Sequence, residues 1–435
     1  MKQRIPLLLV LALSSTYTCA IAQENNQPPK GFRALFNGTD LSGWFGWTTK
    51  NPEELWAMSK EELAEYKAES IKDINQHWSV ENGELVNDGS GLYLTTNEEF
   101  SSYEFWIDYK TVPTADSGIY LKGVPQVQIW DYTDKSKFGI GADKGSGGLW
   151  NNSKGANGKD PLVLADNPLG QWNRFRIRQL GARTWVWLNG KLVVNNAILE
   201  NYYARSRPLF HHGPIQLQTH GGEIRWRNVF IREIGAEEAN KILGASSADL
   251  GFETIFNGQD FSGWTGAVDN YEIVDGAIQC KKGKGGNLFT KKIYSDFVVR
   301  LEIKMPPAGN NGLAIRYPGS GNPAYQGMTE LQVLDIGYPG KLAPYQFHGS
   351  AYGMVPAAQG YLQPAGQWNF QEVTVIGSTI KVELNGSVIL NTDLGKLDDP
   401  ELLKRHPGKT LTKGHFGFAG HNDPVQFRNI RIKSL

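Results

Sequence analysis

Ser117–Asp131 reads SGIYLKGVPQVQIWD, and its alternation decides the fold. Ile119 and Leu121, then Val127 and Ile129, are apolar at every second position, the period of strands with one face on a core. Gly118, Tyr120 and Lys122 fall on the opposite face, as do Gln126, Gln128 and Trp130. Working outward, Trp78–Val80, Tyr103–Tyr109, Arg174–Gln179, Thr184–Leu188 and Val229–Ile234 are equally short and rich in aromatic and β-branched residues. Gly, Asn and Pro turns separate them, including the hairpin signals Asn82-Gly83 and Asn189-Gly190. Many short strands joined this way predict an all-β chain folded as an antiparallel sandwich or jelly roll.

The pattern occurs twice. Asn311–Arg316 (NGLAIR) and Glu330–Asp335 (ELQVLD) repeat the two strands above, and GFRALFNGTDLSGW at Gly31–Trp44 returns as GFETIFNGQDFSGW at Gly251–Trp264. GQWNRFRI (Gly170–Ile177) is answered by GQWNFQEV (Gly366–Val373), and WLNG (Trp187–Gly190) by ELNG (Glu383–Gly386). The closing IQLQTHGGEIRWRNVFIREI (Ile215–Ile234) is answered by FGFAGHNDPVQFRNIRIKSL (Phe416–Leu435). A repeat of this length is a domain rather than a solenoid unit, so residues 31–234 and 251–435 are expected to be two complete sandwiches joined by a linker, 235–250. The first has an insertion without a counterpart: Asn51-Pro52-Glu53-Glu54 resembles a helix start, and helix formers continue to Lys72.

Among 435 residues, 44 Lys and Arg balance 44 Asp and Glu, so no net charge draws the chain to nucleic acid or anionic lipid. Residues 1–22 read as a cleaved export signal: Lys2 and Arg4, the apolar run Ile5–Leu13, and Ala20-Ile21-Ala22 before Gln23. Thr16, Tyr17 and Thr18 are not a lipobox before Cys19, so an exported, periplasmic or secreted protein is expected, with residues 23–30 a flexible leader. Cleavage leaves Cys280 alone, so stability rests on the cores and not on a disulfide. No later segment has the length of apolar sequence that spans a membrane.

Parity also groups polar residues. Gln126, Gln128 and Trp130 should share a face with Gly118, Tyr120 and Lys122; Gln216, Gln218 and His220 join them because Ile215 and Leu217 are core. In the second copy Ala314, Arg316, Glu330, Gln332 and His421 fall at matching points. One face of an antiparallel sheet is often merely solvated, yet a cation, an amide or carboxylate, and a His recur in both copies. Asp131 ends its strand in the first copy. His348 stands beside a Gly-rich loop in the second copy only, as a candidate substrate contact. Eleven of the 13 tryptophans lie in the first copy. Trp264 and Trp368 match Trp44 and Trp172 and read as core, whereas Trp130 is placed where a sugar ring could stack on it.

These motifs, taken in order and twice over, resemble the 3-keto-disaccharide hydrolase domain, also described as a 3-keto-glycoside lyase or hydrolase. The resemblance implies a concanavalin-like jelly roll, exported from glycan-degrading bacteria, that acts on 3-keto-glycosides. The first copy departs from the pattern, with Gln126 where the second has Glu330. A ketone at C3 of a sugar acidifies the C2 proton; a base removes it, the C1 substituent leaves by β-elimination, and water addition completes a net hydrolysis. His220 or His421 suits the base, and Lys122 or Arg316 the stabilising cation. Glu330 is an alternative base or an orienting partner for Arg316. The first copy is favoured as the active one, because Asp131 and the Trp130 platform accompany its His.

The sequence requires no cofactor. A divalent metal stays open through His220 with Glu223 or His421 with Asp423, neither being a strong ligand spacing. Retaining glucanases need paired carboxylates, and Gln126-x-Gln128 and Glu330-x-Gln332 do not supply them. No dinucleotide or phosphate loop follows a strand, so a separate sugar 3-dehydrogenase would have to make the ketone. The competing reading is a tandem carbohydrate-binding protein without catalysis.

Overall fold

The computed structural model describes residues 26–245 and 251–435; the stretch expected to be an export signal, residues 1–22, and residues 246–250 of the expected linker lie outside them. Each copy is a sandwich of two antiparallel sheets with the same strand order. In the first, the small sheet runs Trp44–Trp47, Tyr93–Thr96, Gln216–Leu217, Asp116–Leu121, Val124–Trp130. In the second it runs Trp264–Gly266, Gly285–Thr290, His415–His421, Asn310–Tyr317, Thr329–Leu334. A larger eight-stranded sheet backs each of them. Asn189-Gly190 and Asn385-Gly386 both turn with positive φ at each residue, the geometry that matches the twist of a two-residue hairpin.

The cores are separate. Ile119, Leu121, Val127, Ile129, Ile215 and Leu217 are fully buried against Phe105, Ile107, Phe175 and Ile177 of the large sheet. Leu313, Ile315, Leu331, Val333, Phe416 and Phe418 occupy the same places in the second copy. Each such side chain is worth roughly 1.5–3 kcal/mol relative to exposure, which stands in for the missing disulfide. Cys280 is a buried free thiol. Among the described residues, no helix is long and apolar enough to cross a membrane.

The insertion is two helices, Glu53–Trp56 and Lys60–His77. The second starts at a capping box between Ser59 and Glu62, a break that the sequence reading ran through. It packs on the edge strand Trp44–Trp47 through Ile74, with the Ser70 hydroxyl accepting from Gly46 N–H at 3.0 Å. A helix, Ala236–Ala245, follows the first sandwich and seats Ala239 and Leu243 against Trp185 and Phe370 at the junction of the copies. Arg183 reaches Glu383 across that junction, at 2.8 Å from Nε to Oε1.

Trp44 and Trp264 are in the sandwich cores, whereas Trp172 is half-buried and Trp368, though buried, lies outside both cores. Trp172 lies on the outer face of the large sheet beneath Arg227 (4.0 Å) and Lys110 (4.7 Å), and Trp368 beneath Arg428 (4.0 Å) and Lys304 (4.8 Å). What the duplication preserves there is a cation stack on the ring.

Candidate active site

Strand register lays the polar face of the small sheet out in matched rows. In the first copy one row holds His220, Asp116 and Trp130; the next Gln218, Gly118 and Gln128; the third Thr95, Gln216 and Tyr120 beside Gln126. In the second copy the rows are His421, Asn310, Leu334; then Asn287, Ala419, Gly312, Gln332; then Phe289, Gly417, Ala314, Glu330. This face is buried, with Gln126, Gln128, Gln218, Glu330 and Gln332 all under 7% exposed. It is therefore not the solvated face of a plain sheet. The His side chains form the accessible rim, at 60% exposure for His220 and 49% for His421.

Each His meets one carboxylate, supplied from a different strand. His220 Nδ1 is 3.4 Å from Asp116 Oδ2, and Gln128 Nε2 holds the other oxygen at 2.8 Å. Gln126 donates to Gln128 Oε1, extending the chain of amides. In the second copy Asn310 stands in place of Asp116 and accepts from Gln332 Nε2 at 3.1 Å, while Glu330 crosses over Gly312 to bring Oε1 within 3.9 Å of His421 Nε2. Acid and amide have exchanged places between the copies: Asp116 with Gln126, Asn310 with Glu330. The partner carboxylate pulls each histidine above its ordinary value, Asp116 acting on His220 and Glu330 on His421, against the opposing effect of burial.

The expected cations are elsewhere. Lys122 is fully buried, and its Nζ donates to the carbonyls of Gly181 and His211, both at 2.9 Å. Arg316 donates to Ser295, Gly377 and Leu411 carbonyls and pairs with Asp296 at 2.7 Å. Register shifts near the end of each strand, and φ of +55° at Lys122 and +47° at Arg316, turn these side chains out of the parity they were assigned. Burial without an anionic partner lowers Lys122 to about 7. The cation beside the first-copy dyad is instead Lys137, whose Nζ lies 3.4 Å from Asp116 Oδ2 and 5.8 Å from the Trp130 ring centre.

Four further candidates hold structure in place. Asp131 accepts from Thr114 N–H at 2.8 Å and from the Thr133 hydroxyl at 2.6 Å, clamping Thr114 at φ +65°. Asp335 does the same for Ala308 at φ +58°. Trp130 is 4% exposed, set edge-on to Trp150, and offers no free ring face for a sugar. Tyr120 is buried edge-on to Tyr93, its hydroxyl 2.8 Å from Thr49 Oγ1. His348 lies within the second sandwich: Leu334 N–H approaches Nδ1 at 3.4 Å and Gln371 Oε1 sits 2.8 Å from Nε2, and burial lowers the ring to about 4. It is a neutral structural residue, outside the polar face.

A family model described as the 3-keto-alpha-glucoside-1,2-lyase-like domain matches residues 31–232 and again 251–433. The chain belongs to that family. A curated protein of Bacteroides thetaiotaomicron named 3-keto-disaccharide hydrolase is 28% identical over 249 residues, 47% of this chain and 86% of that protein. A solved structure from Parabacteroides distasonis, provisionally assigned as a glycosyl hydrolase, is 26% identical and covers 42% of this chain and 99% of its own, with a TM-score of 0.38. A carbohydrate binding module of Bacillus subtilis covers 40% of this chain and 96% of its own at 14% identity and a TM-score of 0.26.

The acid of each metal alternative is already engaged. Glu223 is taken by Arg225 Nε at 2.7 Å, and Asp423 accepts from Asn310 N–H at 3.0 Å. Among the described residues no three His, Cys, Asp or Glu come together as a ligand set. The sequence reading missed Asp116, Lys137 and the crossing glycines. Gly118 and Gly312 occupy one position in both copies, where an added Cβ would meet Gln126 Cδ at 2.8 Å and Glu330 Oε1 at 2.1 Å. A glycine repeated on a polar strand face was the available signal for that close approach.

Proposed function

We propose that the protein is an exported glycoside-cleaving enzyme that acts on 3-keto-glycosides by base-catalysed β-elimination and water addition. The observation that carries the reading is a His at the same row of the small sheet in both copies, each facing one carboxylate, His220 with Asp116 from its own row and His421 with Glu330 reaching across from the third. Family membership and the name of the Bacteroides relative support the substrate class. The neutral imidazole takes the C2 proton, the C3 carbonyl carries the developing enolate charge, the C1–O bond breaks, and the departing oxygen gains a proton. Water then adds across the new double bond. Asp116 orients His220 and stabilises the imidazolium that forms, as the carboxylate of a His dyad does. Lys137 is the nearby cation for the enolate in the first copy. Residues 1–22 serve as the export signal, and a separate sugar 3-dehydrogenase supplies the ketone.

Incubating the purified protein with a 3-keto-glucoside and its parent glucoside tests this. Release of the leaving group from the keto form alone is expected. Equal turnover of both would overturn elimination, and binding without turnover would favour a carbohydrate-binding role.

A further inference from the structure

The histidine is shared by the two copies, as are Gly118/Gly312 and Gln128/Gln332 on the next row, but the strand that carries the histidine differs beside it. In the first copy its neighbours on that strand are amides. Gln216 is 0% and Gln218 6% exposed, and the Oε1 atom of each has no protein donor. A buried carbonyl oxygen left unpaired is costly, so two on one face mark a place where a ligand's hydroxyl groups belong. The second copy has Gly417 and Ala419 at these positions, with no side-chain acceptor at all. Phe289 replaces Thr95 and packs edge-on to Tyr317 (5.2 Å) and against His415 (5.0 Å), and Ala314 replaces the ring of Tyr120. Phe289 and His415 are only half-buried, so an aromatic edge stays accessible beside a row with no bulk.

We propose that the copies are two sites for one elimination that divide substrates by leaving group. The first takes 3-keto-glycosides whose leaving group is another sugar, and the second takes those whose leaving group is an aromatic ring. The proposal rests on the elimination reading above. Bond changes are the same in both: C2 gives its proton to the His, the C1–O bond breaks, and the departing oxygen leaves protonated as a sugar hydroxyl or a phenol. Discrimination comes from mismatch. An aromatic group in the first site leaves the Gln216 and Gln218 oxygens unpaired, and a sugar in the second meets Gly417, Ala419 and the Phe289 ring at the points where those two amides stand in the first, the kind of difference that separates substrates strongly.

The test uses the 3-keto forms of a disaccharide and of phenyl glucoside with the wild type, His220→Ala and His421→Ala. His220→Ala should lose about 10²–10⁴-fold in kcat on the disaccharide and keep the phenyl activity, with the reverse for His421→Ala. Phe289→Thr should raise KM for the phenyl substrate roughly tenfold and leave the disaccharide unchanged. If one His variant abolishes both activities, or if both fall equally with either variant, the division is wrong. An unmoved phenyl KM in Phe289→Thr also overturns it. Failure of the wild type to release either leaving group overturns the elimination reading itself, and this inference with it.

Discussion

The two sandwiches have one strand order and one His position, and they solve the same local problems with different residues. At the end of the strand Asp116–Leu121 and of its counterpart Asn310–Tyr317 each needs a buried cation to satisfy carbonyls; the first uses Lys122 and the second Arg316. Beside the His each needs one carboxylate and one amide, and the two have traded strands. The lesson is that a recurring residue type is no proof of a recurring chemical role. The matched cations are structural in both copies, whereas the acid that matters sits at unmatched positions.

The sharpest contrast is in stability. Arg316 satisfies three carbonyls, so Arg316→Met strands all three while Asp296, partly exposed, keeps its bond from Gly377 N–H, and the change should cost about 3–5 kcal/mol. Lys122→Met strands two carbonyls but also removes a desolvated charge, and should cost less. Urea unfolding followed by circular dichroism and by tryptophan fluorescence separates the copies, because eleven of 13 tryptophans report on the first. An equal loss for the two variants would show that the cations are not the distinguishing support.

The same pair differs in its response to pH. Lys122 is held at about 7 when folded, against 10.5 in an unfolded chain. Between these values the unfolded state holds the extra proton, so stability rises with pH, by about 1.4 kcal/mol per unit. From pH 7 to 9.5, below the range where buried tyrosines oppose it, the first copy should gain roughly 3 kcal/mol, and Lys122→Met should flatten that slope. Arg316 keeps its charge throughout, so the second copy should show no such gain.

Sequence carried the fold because alternation is a local signal, and Ile119, Leu121, Val127 and Ile129 are core as their period requires. It failed where strands end. Lys122 and Arg316 were counted by parity across a register shift and a positive φ, neither of which a two-residue period can register. Trp130 has the right parity, but its cover comes from Ser146 and Trp150, on a loop that only tertiary folding brings back. Asp116 was passed over because it stands one residue before the SGIYLK motif, and its meaning emerges only when Asp116/Gln126 is set beside Asn310/Glu330.

The crossing glycines sharpen the comparison of the two acids. In Gly312→Ala the new Cβ displaces Glu330 from His421, and the proton NMR titration of His421 should fall back toward an ordinary histidine. In Gly118→Ala the new Cβ meets only the flexible end of Gln126, and His220 should titrate unchanged because its acid is Asp116. A shift of His220 with no shift of His421 would reverse the assignment of partners.

The smallest expected change tests the first-copy dyad most directly. Asn310 shows that an amide fits the Asp116 position and still engages the neighbouring glutamine, so Asp116→Asn should fold normally and keep the Gln128 contact. What it removes is the charge that raises His220. With His220 as the base, the rate on a 3-keto-disaccharide rises with pH as the imidazole loses its proton, through a midpoint above the ordinary 6.5. Asp116→Asn should move that midpoint to lower pH, and the rate above it should drop because the imidazolium formed in the transition state loses its counter-ion. A profile that keeps its midpoint in Asp116→Asn would mean that the titrating group is not His220, and that the acid exchange between the copies has no part in setting the base.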